Sequence, residues 1–377
     1  MSNKIILSIE TSCDDTAISI LSCKESKLNI LTSKVSSQIK LHAKWGGVVP
    51  NLAAREHLKN FPKLIKLALD EAKVSIDQID FIAVTSGPGL IPALLVGVNY
   101  AKTLSYLWEK PLIGIHHIEG HIYANFVDEN SKFKIQNSTQ IQRKKCKIMF
   151  PILALVVSGG HTQLVLMKNH LQYEIVGQTL DDAVGEAFDK VARILGIGYP
   201  GGPAVALRAS QVKSQKSKAI QDTKYNIKFP RPMLHKKNFN FSFSGLKTAV
   251  LYETKKHPEL LKNKEYIAEI CHEFQQACVE VLIAKTLKAA EQFNPKTILL
   301  AGGVSANTEL RKQLGEAIQK SIPNTSYKIP DTSLTGDNAT MIGAAAAFRW
   351  EKMTAKQKKE ALLGWKMLQA NANLKMN

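Results

Sequence analysis

KIILSIETSCDDTAISILS, residues 4–22, predicts how the first half of the chain begins to fold. Residues 4–9 and 16–22 are apolar runs of strand length, and the polar residues between them predict a tight turn. A second stretch, ILALVVSGGHTQLVLM at residues 152–167, repeats the order of strand, small-residue turn and strand. The repeat predicts two similar α/β lobes that face each other across a central cleft, with both turns at its floor.

The other segments predict alternating strands and helices. Apolar runs predict strands over residues 81–85, 112–115 and 297–300. Helical apolar periods predict helices over residues 49–73, 90–108, 181–195, 245–253, 267–293 and 337–350. A further helix is expected to follow residues 301–307 and to end at about residue 319. We expect residues 1–127 to form the first lobe, completed by about residues 325–353. Residues 148–324 are expected to form the second lobe, residues 128–147 an inserted polar basic loop, and residues 354–377 a lysine-rich tail.

Composition limits the class of protein. The chain has 377 residues, 45% of them hydrophobic, which predicts a folded globular protein rather than a disordered one. Its formal net charge of +18 favours a polyanionic partner, because neutralised phosphates release counterions. The sequence shows neither a membrane-spanning run nor a secretory signal, and its five cysteines form no Cys-x-x-Cys pair. We therefore expect a cytoplasmic protein without a membrane partner.

His117 and His121 are the sharpest chemical signal, because histidines four residues apart on a helix share one face and can bind one cation. The alternative is a pair of surface histidines. In the zinc-protease motif a glutamate directly follows the first histidine. Here Glu119 follows His117 by two residues, so on a helix it points away from the histidine pair, and the pattern is not the protease motif. Asp337 lies where the last helix begins, either as its N-cap or as a third ligand.

Three glycine-rich turns follow strands or precede helices, at residues 158–161, 201–202 and 302–303. With the acidic turn at Asp14 they indicate a nucleotide cleft, although a plain tight turn is the alternative for each. No P-loop pattern is present. Asp182, Glu186 and Asp189 are spaced to share a helix face, either as a solvated acidic face or as a site for a sugar or metal. The basic runs at residues 132–147 and 213–237 are either solvated loops or RNA contacts.

Together these segments resemble one family, the bacterial tRNA threonylcarbamoyladenosine transferases, formerly described as O-sialoglycoprotein endopeptidases. The matching segments lie in the family order between about residues 4 and 345. They are IETSCDDT at 9–16, GGVVP at 46–50, GPGL at 87–90, HIEGH at 117–121, VSGGHT at 157–162, DDAVGEAFDK at 181–190, YPGGP at 199–203, FSFSGLK at 241–247, GGVSAN at 302–307 and DN at 337–338.

The resemblance implies a two-lobed actin-like ATPase fold of the sugar-kinase and chaperone type. It implies one divalent metal ion, with Fe²⁺ preferred over Zn²⁺, and an adenylate nucleotide as the substrate moiety. The implied metal ligands are His117, His121 and Asp337, and Asp14 matches a position that the family needs for activity. The residues implied to bind threonylcarbamoyl-AMP are Val157, Ser158, Gly159, Gly160, His161, Asp189, Gly202 and Asn307.

The implied reaction transfers the threonylcarbamoyl group to the exocyclic amine of the adenosine next to the anticodon, in tRNAs that decode codons beginning with A. The implied partners are tRNA, a paralogous subunit and a small ATPase subunit. Asp15 departs from the family pattern, which has glutamate there, and Asn51 and Pro92 also depart from it. An actin-fold small-molecule kinase is the alternative function. It would not require the histidine pair, whereas a non-catalytic scaffold would require neither that pair nor Asp14.

Overall fold

The structure is a computed structural model that describes residues 3–25, 27–127, 148–215 and 224–376. The loop expected at residues 128–147 lies outside these ranges. Residues 216–223 of the second basic run lie outside them as well.

Ten strands and twelve α-helices make up the described chain, joined by short 3₁₀ turns. The strands are β1 Lys4–Glu10, β2 Asp15–Lys24, β3 Lys27–Ser37, β4 Phe81–Gly87, β5 Leu112–His116, β6 Ile152–Val157, β7 Thr162–Asn169, β8 Gln172–Gln178, β9 Thr297–Ala301 and β10 Ser326–Lys328. The helices are α1 Ile39–His42, α2 Pro50–Ala72, α3 Ile91–Trp108, α4 His117–Tyr123, α5 Val184–Ile194, α6 Gly201–Gln215, α7 Ser244–Lys256, α8 Lys264–Phe293, α9 Thr308–Ser321, α10 Ala339–Lys352, α11 Ala355–Glu360 and α12 Gly364–Met367.

Two five-stranded sheets have the same topology. The first has the order β3-β2-β1-β4-β5, and the second has the order β8-β7-β6-β9-β10. In each sheet the opening hairpin is antiparallel and its first strand also pairs in parallel with a later strand, β4 for β1 and β9 for β6. The two repeated hairpins expected from the sequence are confirmed, and so is the α/β class.

Helices α4 and α10 lie in a hydrophobic cluster that contains residues of both sheets. Ile118 of α4 and Met341 of α10 share this cluster with Ile6 of β1 and Val156 of β6. The alanine- and glycine-rich sequence of α10 permits this close packing, since a Cβ at Gly343 would lie 2.3 Å from the Leu21 side chain. The interior between the sheets therefore fixes the two helices whose first turns adjoin the site described below.

Helix α5 begins at Val184, three residues later than the sequence predicts. The Asp181 carboxylate explains the delay, because it accepts hydrogen bonds from the backbone of Phe243 (2.8 Å) and the hydroxyl of Ser244 (2.7 Å). The prediction that Asp182 shares a helix face with Glu186 and Asp189 is therefore wrong. Asp182 precedes the helix and forms ion pairs with Lys190 (2.6 Å) and Lys247 (3.3 Å).

The carboxyl-terminal segment packs beside β4 and β5 of the first sheet. The Asn371 amide donates to Ser86 O (2.8 Å), and Leu374 O accepts from His116 Nε2 (3.0 Å). Leu368 packs against the core beneath α3. The division of the chain into lobes and tail at the boundaries given above stays a prediction. Within the described residues, no helix is both long and apolar enough to cross a bilayer.

Candidate active site

Helix α4 carries the two histidines and starts directly after β5. His116 caps it, because its Nδ1 accepts from the Ile118 amide at 3.2 Å. His117 is 6% exposed and His121 is fully buried, and their rings meet edge to face with centroids 4.6 Å apart. The alternative of a surface pair is therefore wrong.

Asp337 faces both imidazoles. Its Oδ1 lies 3.3 Å from His121 Nε2 and 3.6 Å from His117 Nε2. The N-cap of α10 is Asn338, whose side chain accepts from the Met341 amide at 2.9 Å. The alternative of Asp337 as the N-cap is therefore wrong, and its carboxylate is available to the histidine pair.

The three side chains fit one metal ion. Their ligand atoms all lie within 4.8 Å of one another. Both ring nitrogens of His121 are buried and make no hydrogen bond of good geometry in the described structure, which an imidazole that binds a cation would explain. Two imidazoles and one carboxylate suit Fe²⁺ or Zn²⁺. The chain thus has a group that can hold a single metal ion.

Glu10 supports this group, and the sequence analysis gave it no such role. It ends β1, is fully buried, and accepts from Thr85 Oγ1 (2.6 Å), from the Ser12 amide and from His117 Nδ1 (3.0 Å). A carboxylate that accepts from one ring nitrogen orients the imidazole, so that Nε2 of His117 is the atom near Asp337. The sequence did contain one signal for this role, because Glu10 is an acidic residue at the end of a strand whose other residues are mostly apolar.

The electrostatics of the group favour a cation. Burial lowers the pKa of His117, but the carboxylates of Asp337 and Glu10 outweigh it and raise that pKa to about 9. Burial opposes ionisation of Asp337, but His117 and His121 hold the pKa of its carboxyl below the usual range. The carboxylates thus create a negative field at the imidazoles.

Asp14 lies in the turn after β1, and Asp15 is the first residue of β2. Burial raises the pKa of Asp14, to which the nearby charge of Asp337 also contributes. Burial raises the pKa of Asp15 to about 7, with a smaller contribution from Asp14. The Ser12 hydroxyl of the same turn lies 3.1 Å from His117 Nδ1, so the turn that carries Asp14 adjoins the metal-ligand group. The perturbation of Asp15, which the sequence marked only as a departure, was not foreseen.

The glycine turn of the second lobe is open to the cleft. Its shape is fixed by bonds from the Ser158 amide to His161 O (2.8 Å) and from the His161 amide to Ser158 Oγ (3.1 Å). Gly159 and Gly160 are exposed, and a Cβ at either would meet no atom within 4 Å. A ligand phosphate could therefore approach this backbone closely.

His161 brings this turn to the metal group. Burial, together with the nearby His117 and His121, lowers the pKa of His161 to about 4. Val157, the residue before the turn, is fully buried. The backbone of Gly302 packs closely against it, since a Cβ at Gly302 would lie 2.4 Å from the Val157 carbonyl oxygen. The structure thus places Val157 as support for the turn.

Asp189 and Gly202 form a second part of the cleft. Asp189 Oδ1 accepts from the Gly201 amide at 2.7 Å, which ties α5 to the first turn of α6. A Cβ at Gly202 would meet nothing within 4 Å. Burial raises the pKa of Asp189, and the nearby charge of Asp14 adds to that rise.

Asn307 has a structural role in this cleft. Its Oδ1 accepts from the Leu310 amide (3.0 Å), so it caps α9, and its Nδ2 donates to Gln275 (2.8 Å). Contact with a ligand would use the remaining hydrogen and lone pair of this amide.

Glu119 points away from the two histidines. It is fully buried and pairs with Arg349 of α10 at 2.6 Å. This carboxylate is therefore unavailable to a water on a metal held by His117 and His121. The prediction from the spacing that Glu119 faces away from the histidine pair is confirmed.

The fold and the site define a two-lobed α/β protein with a metal-ligand group in its cleft. The chain belongs to a family whose model, described as TsaD: tRNA N6-adenosine threonylcarbamoyltransferase, matches residues 29–344. A tRNA N6-adenosine threonylcarbamoyltransferase of Thermosipho africanus is 49% identical over 348 residues, covering 92% of this chain and 95% of its own. One from Persephonella marina is 47% identical over 352 residues, covering 92% and 90%. The resemblance inferred from the sequence is confirmed.

Two solved structures share the fold. HypF of T. kodakarensis superposes with a TM-score of 0.55 at 11% identity, over 94% of this chain and 48% of that one. A full-length HypF in a phosphate- and nucleotide-bound form gives a TM-score of 0.50 at 13% identity, over 98% and 47%. With the repeated sheet topology, this likeness confirms the expected actin-like fold.

Proposed function

We propose that this chain transfers the threonylcarbamoyl group of threonylcarbamoyl-AMP to the exocyclic amine of the adenosine next to the anticodon, in tRNAs that decode codons beginning with A. Family membership supports the transferase activity on tRNA adenosine. The observation that carries the proposal is the His117–His121–Asp337 group, which His161 joins to an open glycine turn.

The donor substrate is a mixed anhydride of a carbamate and a phosphate, so it is already activated and needs no covalent enzyme intermediate. The amides of Gly159 and Gly160 hold its phosphate, while Asp189 and Gly202 bind the nucleoside across the cleft. Asn307 contacts the substrate through the amide hydrogen and the oxygen lone pair that its helix cap and its bond to Gln275 leave free. These contacts orient the carbonyl carbon toward the metal-ligand group.

His117, His121 and Asp337 would hold one divalent ion, Fe²⁺ in preference to Zn²⁺. When bound, it supplies Lewis-acid polarisation of a substrate oxygen. Glu10 orients His117 through the 3.0 Å hydrogen bond to Nδ1. The buried α4 and α10 keep the three ligands at their spacing.

Asp14 stands at the acceptor side of this arrangement. The adenosine amine attacks the carbonyl carbon, a C–N bond forms, and the bond from carbon to the phosphate oxygen breaks to release AMP. The amine proton passes to the Asp14 carboxylate, or Asp14 positions the amine while solvent takes the proton. Burial raises the pKa of Asp14, which makes its carboxylate a stronger base.

We further propose that the chain acts in the cytoplasm with a paralogous subunit and a small ATPase subunit. The net charge of +18 supports binding of the tRNA backbone. Co-purification of the tagged chain with both subunits is the expected result. A chain that transfers at full rate without either subunit would contradict this part.

The direct test incubates the chain and its partner subunits with radiolabelled threonylcarbamoyl-AMP and unmodified tRNA, then counts label on the RNA. We expect label with the wild type and none with His117→Ala. An intact adenylate and unlabelled RNA, with active partners, would overturn the proposal. A screen of small phosphate acceptors would then test the kinase alternative.

A further inference from the structure

A cavity of about 580 Å³ lies between the carboxyl-terminal segment and the edge of the second lobe. Residues 372–376 form one wall, and residues 175–178 at the end of β8 form the opposite wall. His161 is the only residue that both lines this cavity and belongs to the metal-ligand or adenylate set. The volume falls in the range of small-molecule sites, so the cavity can hold a ligand part that the adenylate contacts leave unassigned.

The lining suits a flat heterocycle. Gln163, Gln178 and Asn240 bring side-chain amides to the lining. Asn240 Oδ1 already accepts from the Gln178 backbone amide at 3.1 Å, so Asn240 offers a ligand mainly its NH₂ group. Gln163 and Gln178 are direct partners in the β7–β8 ladder, so their side chains lie next to each other on one face of the sheet. Pro88 and Ile175 add apolar surface. Amides that read an edge and apolar groups that cover a face are how proteins hold an extruded nucleobase.

The cavity adjoins the reaction centre. His116, which lines it, directly precedes the metal ligand His117 in the chain. His161, which also lines it, ends the glycine turn opposite. A ligand in the cavity is thus next to both the metal-ligand group and the turn proposed to hold the adenylate.

The carboxyl-terminal wall is held in place by specific bonds. Leu374 O accepts from His116 Nε2 at 3.0 Å, and Ala372 O accepts from the Gly89 amide at 3.3 Å. The wall also brings Lys375 to the cavity, where an ammonium group can meet a phosphate of a nucleotide chain. The segment therefore completes a site rather than merely covering the first lobe.

We propose that this cavity receives the acceptor adenine of the tRNA, turned out of the anticodon loop, with its exocyclic amine directed at the metal-ligand group. The inference rests on the proposed function and assigns its second substrate to a place. Turning out a base costs least in a single-stranded loop, where the adenine next to the anticodon lies. Gln163, Gln178 and Asn240 read the edge of the base, and Ile175 packs on its face.

The first test compares Gln178→Ala and Ile175→Trp with Gln172→Ala, a matched control because Gln172 is, like Gln178, an exposed glutamine but lies at the other end of β8. The metal-loaded chain with its partner subunits is assayed at varied tRNA and at varied threonylcarbamoyl-AMP. We expect Gln178→Ala to raise KM for tRNA about tenfold, as loss of one buried hydrogen bond does, with KM for the adenylate unchanged. Ile175→Trp fills the cavity and should lower kcat/KM for tRNA by about 100-fold or more.

Metal content and adenylate binding of both variants should equal those of the wild type, which separates a blocked acceptor from a damaged fold. Unchanged KM for tRNA in both variants, with an active wild type, would overturn the cavity assignment alone. A wild type that transfers nothing would overturn the proposed function and this assignment together.

A second test places a photoreactive azidoadenosine at the acceptor position of the tRNA. Cross-linking to residues 372–376 or to the end of β8 is the expected result, and Ile175→Trp should abolish it. Cross-links confined to α5 and α6 would place the acceptor in the other part of the cleft and contradict the assignment.

Discussion

Glu10→Gln tests how the metal-ligand group is held. The substitution keeps the size of the side chain but replaces one carboxylate oxygen by an amide NH₂. Glu10 Oε1 accepts from the Ser12 amide and Oε2 accepts from both Thr85 and His117, so one of these donors must then face another donor. The imidazole of His117 loses its fixed orientation and its negative neighbour.

Loss of such a carboxylate behind a ligating imidazole costs about 10- to 100-fold in metal affinity, or roughly 1.4 to 2.7 kcal/mol. The assay is competition for Fe²⁺ or Zn²⁺ between the purified chain and a chromophoric chelator. Asp80→Asn is the matched control. Asp80 also receives a backbone hydrogen bond from β1, from the Ile5 amide at 2.7 Å, but at the far end of that strand. Equal metal affinity in Glu10→Gln and wild type would refute the proposed support of His117.

Three further predictions follow from buried charges and from the metal-ligand group. The folded chain keeps a proton on Asp15 to about pH 7, whereas the unfolded chain releases it near the ordinary value of 3.8. The unfolding free energy should therefore fall by about 4 kcal/mol as pH rises between these values. Asp15→Asn should remove that fall in urea titrations, and an unchanged pH profile in this variant would contradict the prediction. Arg349→Met leaves the Glu119 carboxylate buried without its partner and should cost about 3–5 kcal/mol of unfolding free energy. The double variant with Glu119→Gln should recover part of this loss. Strictly additive losses would show that the pair does not act as a unit. Addition of Zn²⁺ at about 1,000 times its Kd to the chelator-treated chain should raise the unfolding free energy by about 4 kcal/mol, seen as a raised Tm in calorimetry. His121→Ala should show no such increase. An equal rise in that variant would locate the ion elsewhere.

The strands and helices of the interior could be predicted from the sequence. The two hairpins, α2, α3, α8 and α10 appear within a few residues of the predicted bounds, because each has a clear apolar pattern. The strands β3, β8 and β10 were not predicted. β3 mixes lysine and serine with its apolar residues and β10 has three residues, so their strand form depends on pairing with β2 and β9 rather than on their own pattern.

The candidate site shows a similar division. The His117–His121 spacing predicted a shared face on a helix, and the structure brings Asp337 to that face. The spacing could not reveal Glu10, because its contact with His117 joins residues 107 positions apart. Asp337 could not be distinguished from an N-cap, because Asn338 follows it immediately and the choice depends on backbone geometry. The contact of the tail with His116 is likewise a long-range packing result.

We propose that the His117–His121–Asp337 group enables transfer to tRNA. The most direct measurement is single-turnover transfer from labelled threonylcarbamoyl-AMP by the metal-depleted chain with its partner subunits, before and after stepwise addition of Fe²⁺ or Zn²⁺. We expect no transfer at the start and a rate that rises to a plateau at one ion per chain. A metal-depleted chain, verified by elemental analysis, that labels tRNA at the rate of the metal-loaded chain would contradict it.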